Sequence, residues 1–67
     1  MMYKILKETI GSTGKINEDY GGYEIIVTDK VQFPWFDVFY LLIERGFQIW
    51  IDKKDDQILI MSKQEVN

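Results

Sequence analysis

The side chains that could perform catalysis or bind a metal ion are few and scattered. The chain has no histidine and no cysteine, so the usual nucleophile and base pairs and the usual zinc sites cannot be assembled. Asp37 and Glu44 form the remaining carboxylate pair, two turns apart on one side of a predicted helix. Nothing indicates a pocket around them, and we expect both to face solvent. The sequence therefore predicts no catalytic residues, no cofactor, no metal and no enzymatic activity.

Two short motifs invite comparison with ion-binding and phosphate-binding loops. Residues 11–15 read GSTGK, but the first glycine has the wrong spacing for a phosphate-binding loop, and Ile16 stands where a magnesium-binding hydroxyl belongs. Asn17, Asp19 and Glu24 offer oxygen ligands, yet their spacing does not match a calcium loop. We interpret the first motif as a turn and the second as a solvated acidic loop.

Nucleic-acid binding has stacking candidates but little electrostatic support. Four aromatic residues could act as platforms for bases: Tyr20, Tyr23, Trp35 and Trp50. However, the net charge is −3 and the longest basic cluster is the pair Lys53 and Lys54, which disfavours a groove that follows phosphates. An acidic domain could instead mimic nucleic acid and block a DNA-binding or RNA-binding protein. The candidate groups for such mimicry are Glu18, Asp19 and Glu24, or Asp52, Asp55 and Asp56.

The size of the chain limits how well it can bury its own apolar surface. A chain of 67 residues forms one domain, here residues 1–67, and buries only about 60% of the surface of its unfolded form. Neither disulfides nor a zinc ion can add stability, whereas 46% hydrophobic and 15% aromatic residues favour a dense core or association. Met1 and the absence of a signal-like segment predict a complete cytoplasmic product. Ten isoleucines, no alanine and seven lysines to one arginine are typical of AT-rich coding DNA, as in low-GC bacteria and their phages.

Hydrophobic periodicity and turn residues predict four strands and one helix. The helix is bounded by Pro34 at its first position and by Gly46 after its last. We expect residues 63–67 to fray. The resulting fold is α+β, a small two-layer ββαββ domain with one helix packed on a four-stranded, mainly antiparallel sheet. The predicted elements are a strand at 3–10, a long loop at 11–22, a strand at 23–29, the helix at 34–45, and strands at 47–53 and 57–62.

The predicted helix has more apolar surface than one sheet can cover. One side carries Phe36, Phe39, Tyr40 and Ile43, and the other carries Trp35, Val38 and Leu42. The apolar run is too short for a bilayer, because about 20 residues are needed to cross one. Either a partner covers the outer side, which we assign to Trp35, Val38 and Leu42, or the loops at 11–22 and 31–33 cover it.

The last hairpin predicts a second apolar surface. If its turn contains an even number of residues, Phe47, Ile49, Ile51, Ile58 and Ile60 share the core face. Trp50, Leu59 and Met61 then lie together on the opposite face, where Ile26 joins them if the strands are neighbours. The alternative is that Trp50 lies flat on the sheet, shielded by polar neighbours. These are Gln48, Asp52 and Lys63.

Taken together, these surfaces predict a non-enzymatic protein–protein interaction module. We expect a small regulatory or inhibitory protein, or an accessory subunit, whose partner is another protein. The predicted interaction residues are Trp50, Leu59, Met61, Trp35, Val38 and Leu42. The same surface could form a homodimer, because a symmetric pair buries it twice. The alternatives are the nucleic-acid mimic and, less favoured, a nucleic-acid-binding domain.

Overall fold

The computed structural model describes residues 2–19 and 21–64. Two helices and four strands follow one another in the order αββαββ, with a short 3₁₀ turn after the first helix. These elements are α1 (Met2–Ile10), the 3₁₀ turn (Gly11–Thr13), β1 (Gly14–Asp19), β2 (Gly22–Val27), α2 (Trp35–Glu44), β3 (Phe47–Lys54) and β4 (Gln57–Gln64).

The four strands form one antiparallel sheet in the order β1-β2-β4-β3. α1 and α2 contact each other and lie on the same face of this sheet, so that the molecule has two layers. The predicted α+β class, the four-stranded antiparallel sheet and the helix packed on it are confirmed. The edge strands are β1 and β3, and the central pair is β2 and β4.

The prediction of a strand at residues 3–10 is wrong, because this segment is helix α1. Leu6 and Ile10, one helical turn apart, are its two buried residues. Lys4, Lys7 and Glu8 are exposed. Apolar residues at this spacing follow the period of 3.6 residues that places one stripe of a helix on a core. The lysines therefore mark the solvent side of a helix rather than an edge strand.

The prediction of a long loop at residues 11–22 is also wrong, because β1 lies inside it and pairs with β2 along its whole length. The pairing begins where the Thr28 amide donates to the Thr13 carbonyl oxygen across 2.9 Å. The alternation of β1 is weak, since Ile16 is its single large apolar residue. Residues 63 and 64 belong to β4 rather than to a frayed end, and residues 65–67 lie outside the described residues.

Helix α2 is one residue shorter at each end than the predicted 34–45, with Pro34 as its N-cap and Arg45 as its C-cap. Gly46 has a φ of 81°, in the left-handed region that suits glycine after a helix. Its amide donates to the carbonyl oxygen of Ile43 across 3.0 Å. The chain thereby turns directly from α2 into β3.

The side of α2 that was predicted to be outward faces the core. Val38 and Leu42 are 0% exposed, so the prediction that these two residues form part of an accessible surface is wrong, whereas Trp35 is half-buried. Two neighbouring segments bury these side chains, and the prediction did not consider them together. Helix α1 packs beside α2, and the connector before α2 contributes buried Phe33.

Phe33 and its aromatic neighbours close the core at the start of α2. The Trp35 ring lies 4.7 Å from that of Phe33 and 6.1 Å from that of Phe39, measured between centroids. Its indole N–H donates to the Lys30 carbonyl oxygen across 2.9 Å, which satisfies the one polar atom of the ring. The prediction that loops cover this side of the helix is thus confirmed for the connector before α2. The remaining part of this side is covered by α1.

Helix α2 crosses the sheet diagonally. Phe33, just before α2, lies so close to Gly14 of β1 that a Cβ atom there would be 3.3 Å from its ring. The helix then ends next to Phe47, at the start of β3 on the opposite edge. Gly14 belongs to the same end of the sheet as Lys53, and α2 leaves the β3 side of that end uncovered. Ile51 is consequently 59% exposed although it points to the helical face.

Within the described residues, neither helix has the length and apolar content that crossing a bilayer requires.

Candidate functional site

The register of the last hairpin confirms the predicted division of its side chains. Lys54 pairs with Gln57 across a two-residue turn, so the number of turn residues is even. Ile51 is opposite Ile60 and shares its face, while Trp50 is opposite Met61 on the other face. Because α1 and α2 both lie over the face of Ile60, the face of Trp50 is left open.

Four apolar residues gather on this open face, and we call them the outer patch: Ile26, Trp50, Leu59 and Met61. Trp50 is opposite Met61, and Leu59 is opposite Ile26 on the neighbouring strand β2. The patch therefore spans three strands. Trp50 is 48% exposed, and the other three are half-buried by neighbours on the sheet.

The predicted polar shield around Trp50 is present on the same face but is incomplete. Gln48 and Asp52 flank Trp50 along β3, and Lys63 is opposite Gln48. A carboxylate oxygen of Asp52 accepts a hydrogen bond from the Lys53 amide across 2.9 Å, so this side chain is held against its own backbone. About half of the indole surface remains open to solvent as a result.

The charges around the outer patch balance one another. Three lysines and three carboxylates share this face of the sheet: Lys15, Lys54, Lys63, Asp19, Glu24 and Asp52. A mimic of nucleic acid needs an unbroken acidic surface, and lysines interrupt this one. Glu18, another candidate for mimicry, belongs to the opposite face. The arrangement is that of an apolar centre with a mixed polar rim, as in many protein interfaces.

A shallow concavity of about 330 Å³ adjoins Trp50 at one end of the outer face. Its floor includes Gly22, at which a Cβ atom would collide with the Ser62 carbonyl oxygen. The Ser62 hydroxyl donates to the Tyr23 carbonyl oxygen across 3.4 Å. The Tyr23 phenol lies on the opposite, helical face, where burial, with a smaller contribution from Glu18, raises its pKa. The lining residues are Asp19, Gly22, Tyr23, Glu24, Trp50, Met61, Ser62 and Lys63.

The aromatic residues proposed for base stacking do not share a surface. Tyr23 lies on the helical face between Tyr3 and Phe47, with ring centroids 6.4 and 5.5 Å away. Trp35 belongs to the cluster at the start of α2, on the other side of the sheet from Trp50. Tyr20 lies outside the described residues. A platform of successive rings is therefore not formed by the three described candidates.

The remaining chemical candidates are accounted for by local structure. Residues 11–15 continue from a 3₁₀ turn into β1, rather than into the helix whose N-terminus binds phosphate in such loops. Asp37 and Glu44 are both exposed. The Tyr40 hydroxyl donates to the Glu44 carboxylate, and this bond raises the pKa of Tyr40. Among the described residues, no three acidic side chains are grouped closely enough to hold a metal ion.

The exposed side of α2 is a second apolar surface that the sequence interpretation misplaced. Phe36 is 77% and Ile43 65% exposed, with Tyr40 between them. The rings of Phe36 and Tyr40 stack at 5.9 Å with an interplanar angle of 15°. The charged residues could have located this side, because Tyr40 is only about 40° around the helix from Glu44. We call Phe36, Tyr40 and Ile43 the helix stripe.

No protein-family model matches the chain, and comparisons with curated proteins and with solved structures gave no match either.

Proposed function

We propose that this protein is a non-enzymatic protein–protein interaction domain that binds another protein through the outer patch. Its biological role is that of a small regulatory or inhibitory protein, or of an accessory subunit. The observation that carries the proposal is the position of Trp50 opposite Met61 on the sheet face that neither helix covers. The proposal includes no chemical step, and it assigns Trp50, Leu59, Met61 and Ile26 to binding.

Side-chain chemistry and shape favour the outer patch over the helix stripe as the main binding surface. Tryptophan is enriched at the energetic centres of interfaces, and methionine adapts to irregular partners. The concavity beside Trp50 provides a recess for a partner side chain, whereas the helix stripe is convex. The balanced rim suits a partner whose own surface has an apolar centre and mixed charges.

To test this proposal, the wild-type protein and three alanine variants are used to capture binding proteins from cells of the source organism. Trp50→Ala removes the centre of the outer patch, Phe36→Ala removes the most exposed ring of the helix stripe, and Val31→Ala is the matched control. Val31 is 84% exposed and belongs to neither surface. Circular dichroism and urea titration must show that each variant remains folded.

We expect Trp50→Ala to weaken binding of the purified partner by roughly 2 kcal/mol, a loss of about thirtyfold in affinity. Phe36→Ala and Val31→Ala should bind like the wild type. Calorimetry at low and high salt then distinguishes the modes of binding, since apolar contact is far less sensitive to salt than charge contact is. Equal binding by wild type and Trp50→Ala would refute the proposal. Binding abolished by salt alone would favour the acidic mimic instead.

A further inference from the structure

The two edges of the sheet differ in how they discourage pairing with another chain. Edge strands usually carry charges, prolines or bulges that prevent association with a further strand. β1 is short and reads GKINED, with three charges in six residues. β3 has eight residues and reads FQIWIDKK, with a regular register, an apolar first half and its three charges confined to the last three residues. The uncharged part of the β3 edge, residues 47–51, is therefore open to another strand, whereas β1 carries charges near both of its ends.

The hydrogen-bonding groups on the free side of β3 can be identified from the ladder. The Gln64 amide donates to the Gly21 carbonyl oxygen across 2.9 Å, so even-numbered residues of β4 direct their backbone groups to β2. Odd-numbered residues of β4 must then bond to β3, where they pair with even-numbered residues. The odd-numbered residues of β3 consequently present their amides and carbonyls at the free edge. These are Phe47, Ile49, Ile51 and Lys53.

We infer that two copies of this chain pair through their β3 edges, antiparallel, about a two-fold axis that passes beside Trp50. The two sheets then form one eight-stranded sheet with all helices on one face. This inference concerns the edge of the sheet rather than its outer face, and it does not depend on the proposed function.

Registers of this two-fold pairing can be compared by the hydrogen bonds they form. When the axis lies at Trp50, Ile49 of each copy is opposite Ile51 of the other, and Phe47 is opposite Lys53. Each hydrogen-bonded antiparallel pair exchanges two bonds, so this register forms about eight. An axis at Ile49 or Ile51 shortens the overlap to about six bonds.

Shape and exposed surface favour the same register. The diagonal of α2 covers the Phe47 end of β3 and leaves the end with Ile51 and Lys53 open, as the exposure of Ile51 shows. With the axis at Trp50, the covered end of one copy meets the open end of the other, which keeps the two α2 helices apart. The pairing also covers Ile51, which is a large exposed hydrophobic residue within the sheet.

The first test introduces a charge on the β3 edge. Light scattering then measures the mass of the protein in solution from low micromolar to near-millimolar concentration. We expect a wild-type dimer and a monomeric Ile51→Lys variant, because each introduced ammonium would face Ile49 of the other copy. Val31→Lys is the matched control, since it makes the same type of change at an exposed apolar residue away from the edge. It should remain dimeric. A wild-type monomer at every concentration, or an Ile51→Lys dimer, would overturn the inference.

Cysteine cross-linking gives the second test and reports the register directly, because the natural chain has no cysteine. The axis at Trp50 places Gln48 of one copy opposite Asp52 of the other as a non-hydrogen-bonded pair, with Cα atoms about 4.5 Å apart. Disulfides span that distance. A mixture of Gln48→Cys and Asp52→Cys proteins should therefore form a cross-linked dimer on oxidation. Each variant alone should not, because its two thiols are about 14 Å apart along the strand.

The two tests separate this inference from the proposed function. A mixture that fails to cross-link, from variants shown to be folded, refutes the register whatever Trp50 binds. An outer patch that dimerises face to face would lose its dimer on Met61→Lys and keep it on Ile51→Lys, the opposite of the pattern expected here. Binding of an outside partner by monomeric Ile51→Lys protein would leave the proposed function unaffected.

Discussion

Gly22 occupies a position where the backbone of one central strand meets that of the other. It is buried, and a Cβ atom there would collide with the carbonyl oxygen of Ser62 on β4. The backbone of β4 cannot move aside without disturbing its pairing with β3. Glycine is therefore required at this position by close packing rather than by a left-handed backbone, which is the reason that applies at Gly21, where φ is 71°.

We predict that Gly22→Ala lowers the free energy of unfolding by about 1–3 kcal/mol, the range found when atoms are forced into packed interiors. Urea denaturation followed by circular dichroism measures this change. Ser12→Ala, at an exposed residue of the 3₁₀ turn, should shift stability by no more than about 0.5 kcal/mol. An unchanged midpoint for Gly22→Ala would show that β2 and β4 are not as close as the structure places them.

Trp35 and Trp50 show what residue type alone can and cannot predict about the position of a side chain. Both are tryptophans in apolar surroundings, and both were predicted to bind a partner. The register of a two-residue hairpin settled the side on which Trp50 lies, because strand parity is fixed by the turn. The environment of Trp35 depends on Phe33 and on the Lys30 carbonyl oxygen, and contacts made by an irregular connector have no periodic signal.

Helix α1 is the element that the sequence left most ambiguous. A nine-residue segment offers little more than two turns of periodicity, and isoleucine, tyrosine and leucine occur in both helices and strands. Its helical state is decided by packing, since Leu6 and Ile10 both enter the core beside α2. Isolated helices of this length are marginal in water, so the tertiary contacts must supply the stability.

We predict that Lys7→Pro destabilises the protein by about 3 kcal/mol, because proline inside a helix removes a backbone hydrogen bond and collides with the preceding turn. Lys7→Ala is the matched control and should be close to neutral. Both variants lose the contact of the Lys7 ammonium with the Tyr3 ring, whose centroid is 5.8 Å away, so the difference between them reports the backbone alone. Equal stability of the two variants would be incompatible with a helix here.

Element boundaries after β1 were predicted well where glycine, proline or strict alternation marks them. The structure begins α2 next to Pro34, ends it before Gly46, and places β3 and β4 around a two-residue turn. β1 was missed for a physical reason: it is a polar edge strand whose hydrogen bonds to β2, rather than buried side chains, hold it in place. The sheet nevertheless has the predicted four strands, because β1 replaces the strand expected at residues 3–10.

The absence of histidine and cysteine removes the side chains that ordinarily titrate between pH 5 and 8. Changes in stability with pH should therefore occur mainly at acidic and alkaline pH, outside the range from about 5 to 8. On the alkaline side, burial and the neighbouring Glu18 raise the pKa of Tyr23 in the folded state. The folded protein thus holds this proton more tightly than the unfolded chain does. The contribution of this proton to the free energy of unfolding is complete below the pKa of about 10 in the unfolded chain. It is lost as the pH rises through the pKa of Tyr23 in the folded state.

We predict that the free energy of unfolding of the wild type falls above about pH 10. The free energy of unfolding of the Tyr23→Phe variant should fall less steeply, because phenylalanine has no proton to lose. Urea denaturation at a series of alkaline pH values measures both slopes. The comparison of the two proteins, rather than either slope alone, isolates the phenol. A variant whose stability declines as steeply as that of the wild type would contradict the assigned cause.

The separation of the two tryptophans by the sheet gives the protein a pair of built-in optical probes. Trp35 is held among aromatic rings with its indole N–H bonded, so its emission should be blue-shifted and poorly accessible to dissolved quenchers. Trp50 should emit at longer wavelength and be quenched readily. Since the chain has no other tryptophan, Trp50→Phe leaves a fluorophore that reports unfolding alone, and Trp35→Phe leaves one that reports events on the outer face. A single spectrometer can thus follow folding and binding separately, without any attached dye.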